Sequence, residues 1–121
     1  MKILVVDDER IVLESCRRVL EPEGFEVLVV ASALEALKAL EAEKPTAFLV
    51  DIKMPVHDGL YLLRELRERQ VDIPVILMSG LNTEDMIAEA LNMGASNFIA
   101  KPFTPDELLK SVRQAIQKEA P

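Results

Sequence analysis

The chain has one cysteine, one histidine, one tyrosine and no tryptophan among 121 residues. A single thiol closes no intrachain disulfide and builds no cysteine-rich metal site. Cys16 falls on a helical apolar stripe with Val12, Val19 and Leu20, so it reads as a small core hydrophobe rather than a reactive group. Tyr61 and four phenylalanines provide no aromatic platform for stacked bases. Lysine and arginine total 14 against 21 acids, for a net charge of −7, and form no basic cluster. That balance excludes direct nucleic-acid or anionic-membrane binding as the expected role, since both need cations to neutralise phosphate. No apolar run approaches the roughly 20 residues of a membrane span. Met1-Lys2 leads into an apolar run without a signal-peptide layout, and a cytoplasmic location is expected.

What is present is an alternation of short apolar runs with longer segments of helical period, the signature of a parallel sheet covered on both faces. Half of the residues are apolar and 29% charged, an ordinary balance for one globular domain, expected to span residues 1–121. Strands are predicted over about 2–7, 25–31, 46–50, 73–78 and 96–100. The first helix covers about 9–21 and is stopped by Pro22 and Gly24. The second opens on a Ser32/Glu35 capping box and breaks at Lys44-Pro45. The third buries Leu62, Leu63 and Leu66 and turns Arg64, Glu65, Arg67, Glu68 and Arg69 outward as a solvated charged face. The fourth covers about 83–93 and closes at Gly94. The last starts at Thr104, with Pro105 in the first helical position and Glu107 completing a capping box.

Five βα units with right-handed crossovers put helices on both faces only if the winding reverses once. A reversal after the first unit gives a doubly wound five-stranded parallel sheet of order 2-1-3-4-5. Polar residues follow four of the runs: Asp7-Asp8 after Ile3–Val6, Asp51 after Ala47–Val50, Ser79 after Val75–Met78, and Lys101 after Asn97–Ala100. In a parallel sheet these converge at the carboxyl edge, beside the switch point between strands one and three. Three crowded carboxylates raise one another's pKa unless a cation sits among them, and hard oxygen donors suit Mg²⁺. The hydroxyl and the ammonium suit a bound phosphoryl group. Each residue also has a plainer reading: Asp7-Asp8-Glu9 as helix-capping acids, Asp51 and Ser79-Gly80 as turn residues, and Lys101 as a surface charge.

Val6-Asp7-Asp8-Glu9, Asp51-Ile52-Lys53-Met54-Pro55 with Asp58-Gly59, Ser79-Gly80 and Lys101-Pro102-Phe103, in that order, resemble the receiver domain of two-component response regulators over essentially the whole chain. The resemblance implies that Asp51 accepts a phosphoryl group from a sensor histidine kinase or a phosphotransfer protein. It implies that Asp8, Asp51 and the Lys53 carbonyl ligate Mg²⁺, with Asp7 acting through water. Lys101 would pair with phosphoryl oxygens across a cis Lys101-Pro102 bond. Ser79 would move to hydrogen-bond the phosphoryl group, and Phe98 would change rotamer from an exposed to a buried position. The surface of helix four, strand five and helix five would then be read by a downstream effector domain or protein, or by a second receiver. Such a domain is a switch rather than a turnover enzyme.

Two other classes share parts of the pattern. An aspartate-nucleophile, Mg²⁺-dependent phosphatase wants a second acid two residues past the nucleophile, where Lys53 stands. A flavodoxin-like module needs a phosphate-cradling loop after strand one, where Asp7-Asp8-Glu9 would repel a flavin phosphate. Lys53, and Leu81 two past Ser79, occupy positions that flank the attacking water in the resembled family. Neither orients water well, so slow self-dephosphorylation is expected.

Overall fold

A computed structural model describes residues 1–80 and 83–119. Its elements in chain order are β1 (Lys2–Val6), α1 (Arg10–Leu20), β2 (Glu26–Val30), α2 (Ala33–Glu43), β3 (Ala47–Asp51), α3 (Gly59–Glu68), β4 (Val75–Ser79), α4 (Glu84–Asn92), β5 (Asn97–Ala100) and α5 (Pro105–Glu119). The strands pair in parallel in the order β2-β1-β3-β4-β5, the doubly wound order expected from the crossover rule. α1 ends at Leu20, and a 3-10 turn over Glu21–Glu23 that contains Pro22 closes on Gly24 at φ 94°, the stop expected from the sequence. β4 begins at Val75 rather than at residue 73. Pro74 has no N–H to give to a ladder, and only its carbonyl is used, by the Phe48 N–H at 2.9 Å.

The pleat divides the apolar runs between two cores. Leu4, Val6, Phe48, Val50, Val75 and Leu77 meet α2, α3 and α4 through Ala36, Leu62, Leu63, Leu66 and Ala90. Ile3, Val5, Leu49, Ile76, Met78 and Ile99 meet α1 and α5 through Leu13, Cys16, Leu20, Leu108 and Val112. Strands covered on both faces have no polar side to show, hence their unbroken apolar sequence. Each fully buried Leu or Ile contributes about 1.5–3 kcal/mol of transfer free energy. Cys16 is completely buried. Burial, and secondarily the Asp7 carboxylate, push its thiol up to about 12, which suits a packing role.

The helix starts follow the sequence signals. Thr104 Oγ1 accepts from the Glu107 N–H at 3.1 Å while Glu107 Oε1 accepts from the Thr104 N–H at 3.1 Å, a reciprocal capping box. Ser32 Oγ accepts from the Glu35 N–H at 3.2 Å, but the Glu35 carboxylate turns to the Ala31 N–H and the Ser32 hydroxyl instead of the Ser32 N–H.

One expectation is corrected. The charged face of α3 is not solvated throughout, because Arg67 is half-buried. Its guanidinium donates to the carbonyls of Val71, Ile73 and Gly94. The segment after α3 turns back beneath the helix and presents carbonyls that a short or monodentate side chain could not serve together.

Candidate functional site

Val5, Leu49 and Ile99 share the α1/α5 side of the sheet. One more alternation along each strand brings Asp7, Asp51 and Lys101 to that side of the carboxyl edge. There Lys101 Nζ lies 2.8 Å from Asp7 Oδ2, 3.2 Å from Asp51 Oδ1 and 3.8 Å from Glu9 Oε1. Asp7 is fully buried and Asp51 is 3% exposed, whereas Asp8 faces solvent. Carboxylate oxygens of Asp7, Asp8 and Asp51 lie within 4.8 Å of one another.

Asp7 serves two ends at once. Its Oδ1 accepts from the Glu9 N–H at 2.8 Å, organising the turn into α1, while its Oδ2 takes the lysine. One Asp7 oxygen thus caps the turn into α1 while the other meets the Lys101 ammonium. Glu9 itself stands at the helix N-cap without a side-chain cap bond, and its approach to Lys101 was not among the expectations.

The electrostatics are unbalanced. Burial, and next the neighbouring Asp7, raise the Asp51 carboxyl above its ordinary range, and Lys101 with the Lys53 N–H at 3.4 Å only partly offsets this. For Lys101, burial works against the ammonium, but Asp7 and then Asp51 more than reverse it, so its pKa is raised. One ammonium among three carboxylates leaves a charge deficit that a second cation would fill. The donor set is all hard oxygen and open to water on the Asp8 side, which fits Mg²⁺ retaining part of its hydration.

α3 is brought against the strand end by the Gly59 N–H, which donates to the Ile52 carbonyl at 2.8 Å. A Cβ on Gly59 would lie 2.5 Å from the Asp51 carbonyl oxygen and 2.8 Å from Ile52 Cα. Both are backbone atoms and cannot step aside. Gly59→Ala is therefore expected to cost about 1–3 kcal/mol or more in a urea melt, as overpacking does. An unchanged midpoint would show that the loop yields without cost.

Ser79 ends β4 and is 4% exposed. Its strand neighbour Met78 pairs with Asp51, and Ser79 pairs with Ala100. Phe98 pairs with Leu77 and shares its face, so its ring packs on the α2/α3/α4 core and is half-buried rather than exposed as expected. The Lys101-Pro102 bond is cis. Lys53 is exposed. His57 stacks on Tyr61 in the first turn of α3, with ring centroids 4.1 Å apart. Leu81 lies outside the described residues.

Comparison with known proteins defines the class. The family model described as "Response regulator receiver domain" matches residues 3–113, and the chain belongs to that family. It is similar to the response regulator MprA of Mycobacterium avium, with 36% identity over all 121 residues, and to the Mycobacterium leprae protein of that name at 35%. The chain spans 53% of the length of each of these relatives. Among solved structures, the receiver domain of Francisella response regulator 1452 superposes with a TM-score of 0.92 at 29% identity, over 98% of both chains. The BeF3-activated N-terminal receiver domain of Klebsiella pneumoniae RstA superposes at 0.90 with 32% identity, over 97% of this chain and 99% of that one. Among the described residues no helix is long and apolar enough to cross a membrane.

Proposed function

We propose that this receiver domain is a phosphorylation-dependent switch whose phosphoacceptor is Asp51. The observation that carries the reading is the buried Asp7–Lys101–Asp51 arrangement, with the ammonium 2.8 Å and 3.2 Å from the two carboxylates. An Asp51 oxygen attacks the phosphorus of a phosphohistidine on a sensor kinase or phosphotransfer protein. The N–P bond breaks, its electron pair returns to the imidazole nitrogen, and an acyl phosphate forms on Asp51. The nucleophile is a carboxylate, so it needs positioning and charge cancellation more than a base. Lys101 turns from the carboxylate pair toward the incoming phosphoryl oxygens, and the Lys53 N–H orients the acceptor. Asp7, Asp8 and Asp51, with the Lys53 carbonyl, would hold Mg²⁺, which supplies the remaining positive charge at the equatorial oxygens. Ser79 closes on the phosphoryl group, and the half-buried Phe98 ring moves further inward. The altered α4/β5/α5 surface is what an effector domain, an effector protein or a second receiver reads. The chain acts as a switch in which each domain is its own substrate.

With acetyl phosphate and Mg²⁺, intact-mass measurement should show gain of a single phosphoryl group, mapped by peptide analysis to Asp51. A chelator should stop it. Label at another residue, or label indifferent to chelation, would overturn the assignment. The lifetime is a separate outcome. Lys53 is exposed and not suited to orient water onto the phosphorus, so Lys53→Asn should shorten the half-life of the phosphorylated form several-fold, on the order of 1 kcal/mol of barrier. A parent that decays as fast as the variant would remove that role.

A further inference from the structure

α4 buries fewer residues than any other helix. It fully buries only Ala90, where α1 buries three residues and α3 four. Among the described residues, the hydrogen bonds of Thr83 through Asn92 stay within the helix, its cap and the turn that follows. The Thr83 side chain accepts from the Met86 N–H at 3.1 Å, and the Thr83 carbonyl accepts from the Ile87 N–H at 3.1 Å.

The two ends differ. Just past the C-terminus, the Gly94 carbonyl accepts from Arg67 Nη2 at 2.8 Å. The Ser96 N–H donates to the Val75 carbonyl at 2.8 Å, and the Ser96 hydroxyl accepts from the Val75 N–H at 3.3 Å. Arg67 Nη1 meanwhile donates to the carbonyls of Val71 and Ile73. One rigid planar fork thus ties the exit of α3, the approach to β4 and the α4–β5 turn together. Gly94 is fitted to it: φ is 101°, and a Cβ there would lie 2.9 Å from Arg67 Nε. At the other end Thr83, Glu84 and Asp85 are exposed, a few residues beyond Ser79.

We propose that Arg67 is a positioning residue that pins the C-terminal end of α4, so that α4 swings about Gly94 when its N-terminal end follows Ser79. The inference rests on the reading of Asp51 as phosphoacceptor and adds how the change is shaped. A helix fixed at one end converts a small displacement beside Ser79 into a tilt, with the largest movement at Glu84–Ala88 and little at Met93–Ser96. Without the pin α4 would slide as a unit and carry the β5 approach with it.

The test is backbone NMR of the whole chain with and without beryllofluoride and Mg²⁺. In the parent, amide shifts should be largest at residues 84–88 and smallest at 93–96. Arg67→Lys keeps the charge and loses the fork. It should raise the shifts at 93–96 about threefold and speed exchange of the Ala95 amide about tenfold relative to the core amide of Val5, the equivalent of losing one charge-assisted hydrogen bond locally. Arg67→Gln should do the same. A parent whose shifts are as large at 93–96 as at 84–88 overturns the proposal. So do variants that keep both the parent's gradient and its Ala95 exchange. If neither variant folds, the parent's gradient alone decides. The amides of residues 52–54 report the anion beside Asp51. Silence there fails the phosphoacceptor reading, and Ala95 exchange in the variants without beryllofluoride still tests the pin.

Discussion

Asp51→Asn should take up no phosphoryl group from acetyl phosphate and Mg²⁺, a loss of the whole signal, while unfolding at a higher temperature than the parent. The first effect follows from chemistry, because an amide oxygen is too poor a nucleophile to displace the donor. The second follows from linkage. The folded-state pKa of Asp51 lies above its ordinary value of 3.8 through burial first and Asp7 second. Between those two values the folded state holds more protons than the unfolded state, so stability falls as pH rises through the window. The deficit persists at neutral pH, where Asp51 is ionised. Asparagine keeps the volume and can still accept from the Lys53 N–H without the charge. A gain on the order of 1 kcal/mol, a few degrees in Tm, is expected at pH 7. It should shrink as pH falls toward 4. A lower midpoint for Asp51→Asn at pH 7 would show that attraction to Lys101 outweighs burial.

The same residues show what a sequence makes legible. Asp7, Asp51 and Lys101 could be placed together because a parallel sheet aligns its carboxyl ends and the pleat repeats every second residue. Neither rule needs side-chain detail. The Thr104/Glu107 cap was equally local. Arg67 was not, since its three carbonyl partners belong to residues 71, 73 and 94. The path of the chain around α3 is set by packing and not by helical period, so an arginine in a run of charges looked like solvated surface. The half-burial of Phe98 was missed for a related reason. Its parity with Leu77 was readable in principle, but how far α4 covers the edge strand is a matter of tertiary distance. Val56, with φ of 68° and 92% exposed, gave no signal either. A β-branched residue disfavours that conformation, which here closes a three-residue γ-turn in which the His57 N–H donates to the Pro55 carbonyl at 2.8 Å.

Lys101→Met should destabilise the fold by about 3 kcal/mol at pH 7, the low end for breaking a buried ion pair because the lysine keeps some exposure. Its ammonium is the nearest cation to both Asp7 and Asp51, at 2.8 Å and 3.2 Å, and methionine fills a similar volume without neutralising either. Two buried carboxylates then face one another with no cation between them. Protonation relieves the repulsion, so the Asp51 pKa, already raised, moves further up. Since stability falls as pH rises through the window between the unfolded and folded values, the variant should recover as pH is lowered from 7 toward 5. The parent should change less over that range. Mg²⁺ should also stabilise the variant, by about 1.4 kcal/mol for each tenfold excess over Kd, because losing the ammonium deepens the charge deficit that already suits the ion. Urea midpoints at pH 7 and pH 5, each with Mg²⁺ and with a chelator, separate these effects. A Lys101→Met protein as stable as the parent at pH 7, and indifferent to both pH and Mg²⁺, would mean that the three carboxylates do not share one electrostatic site. The proposed division of labour between lysine and metal would then fall with it.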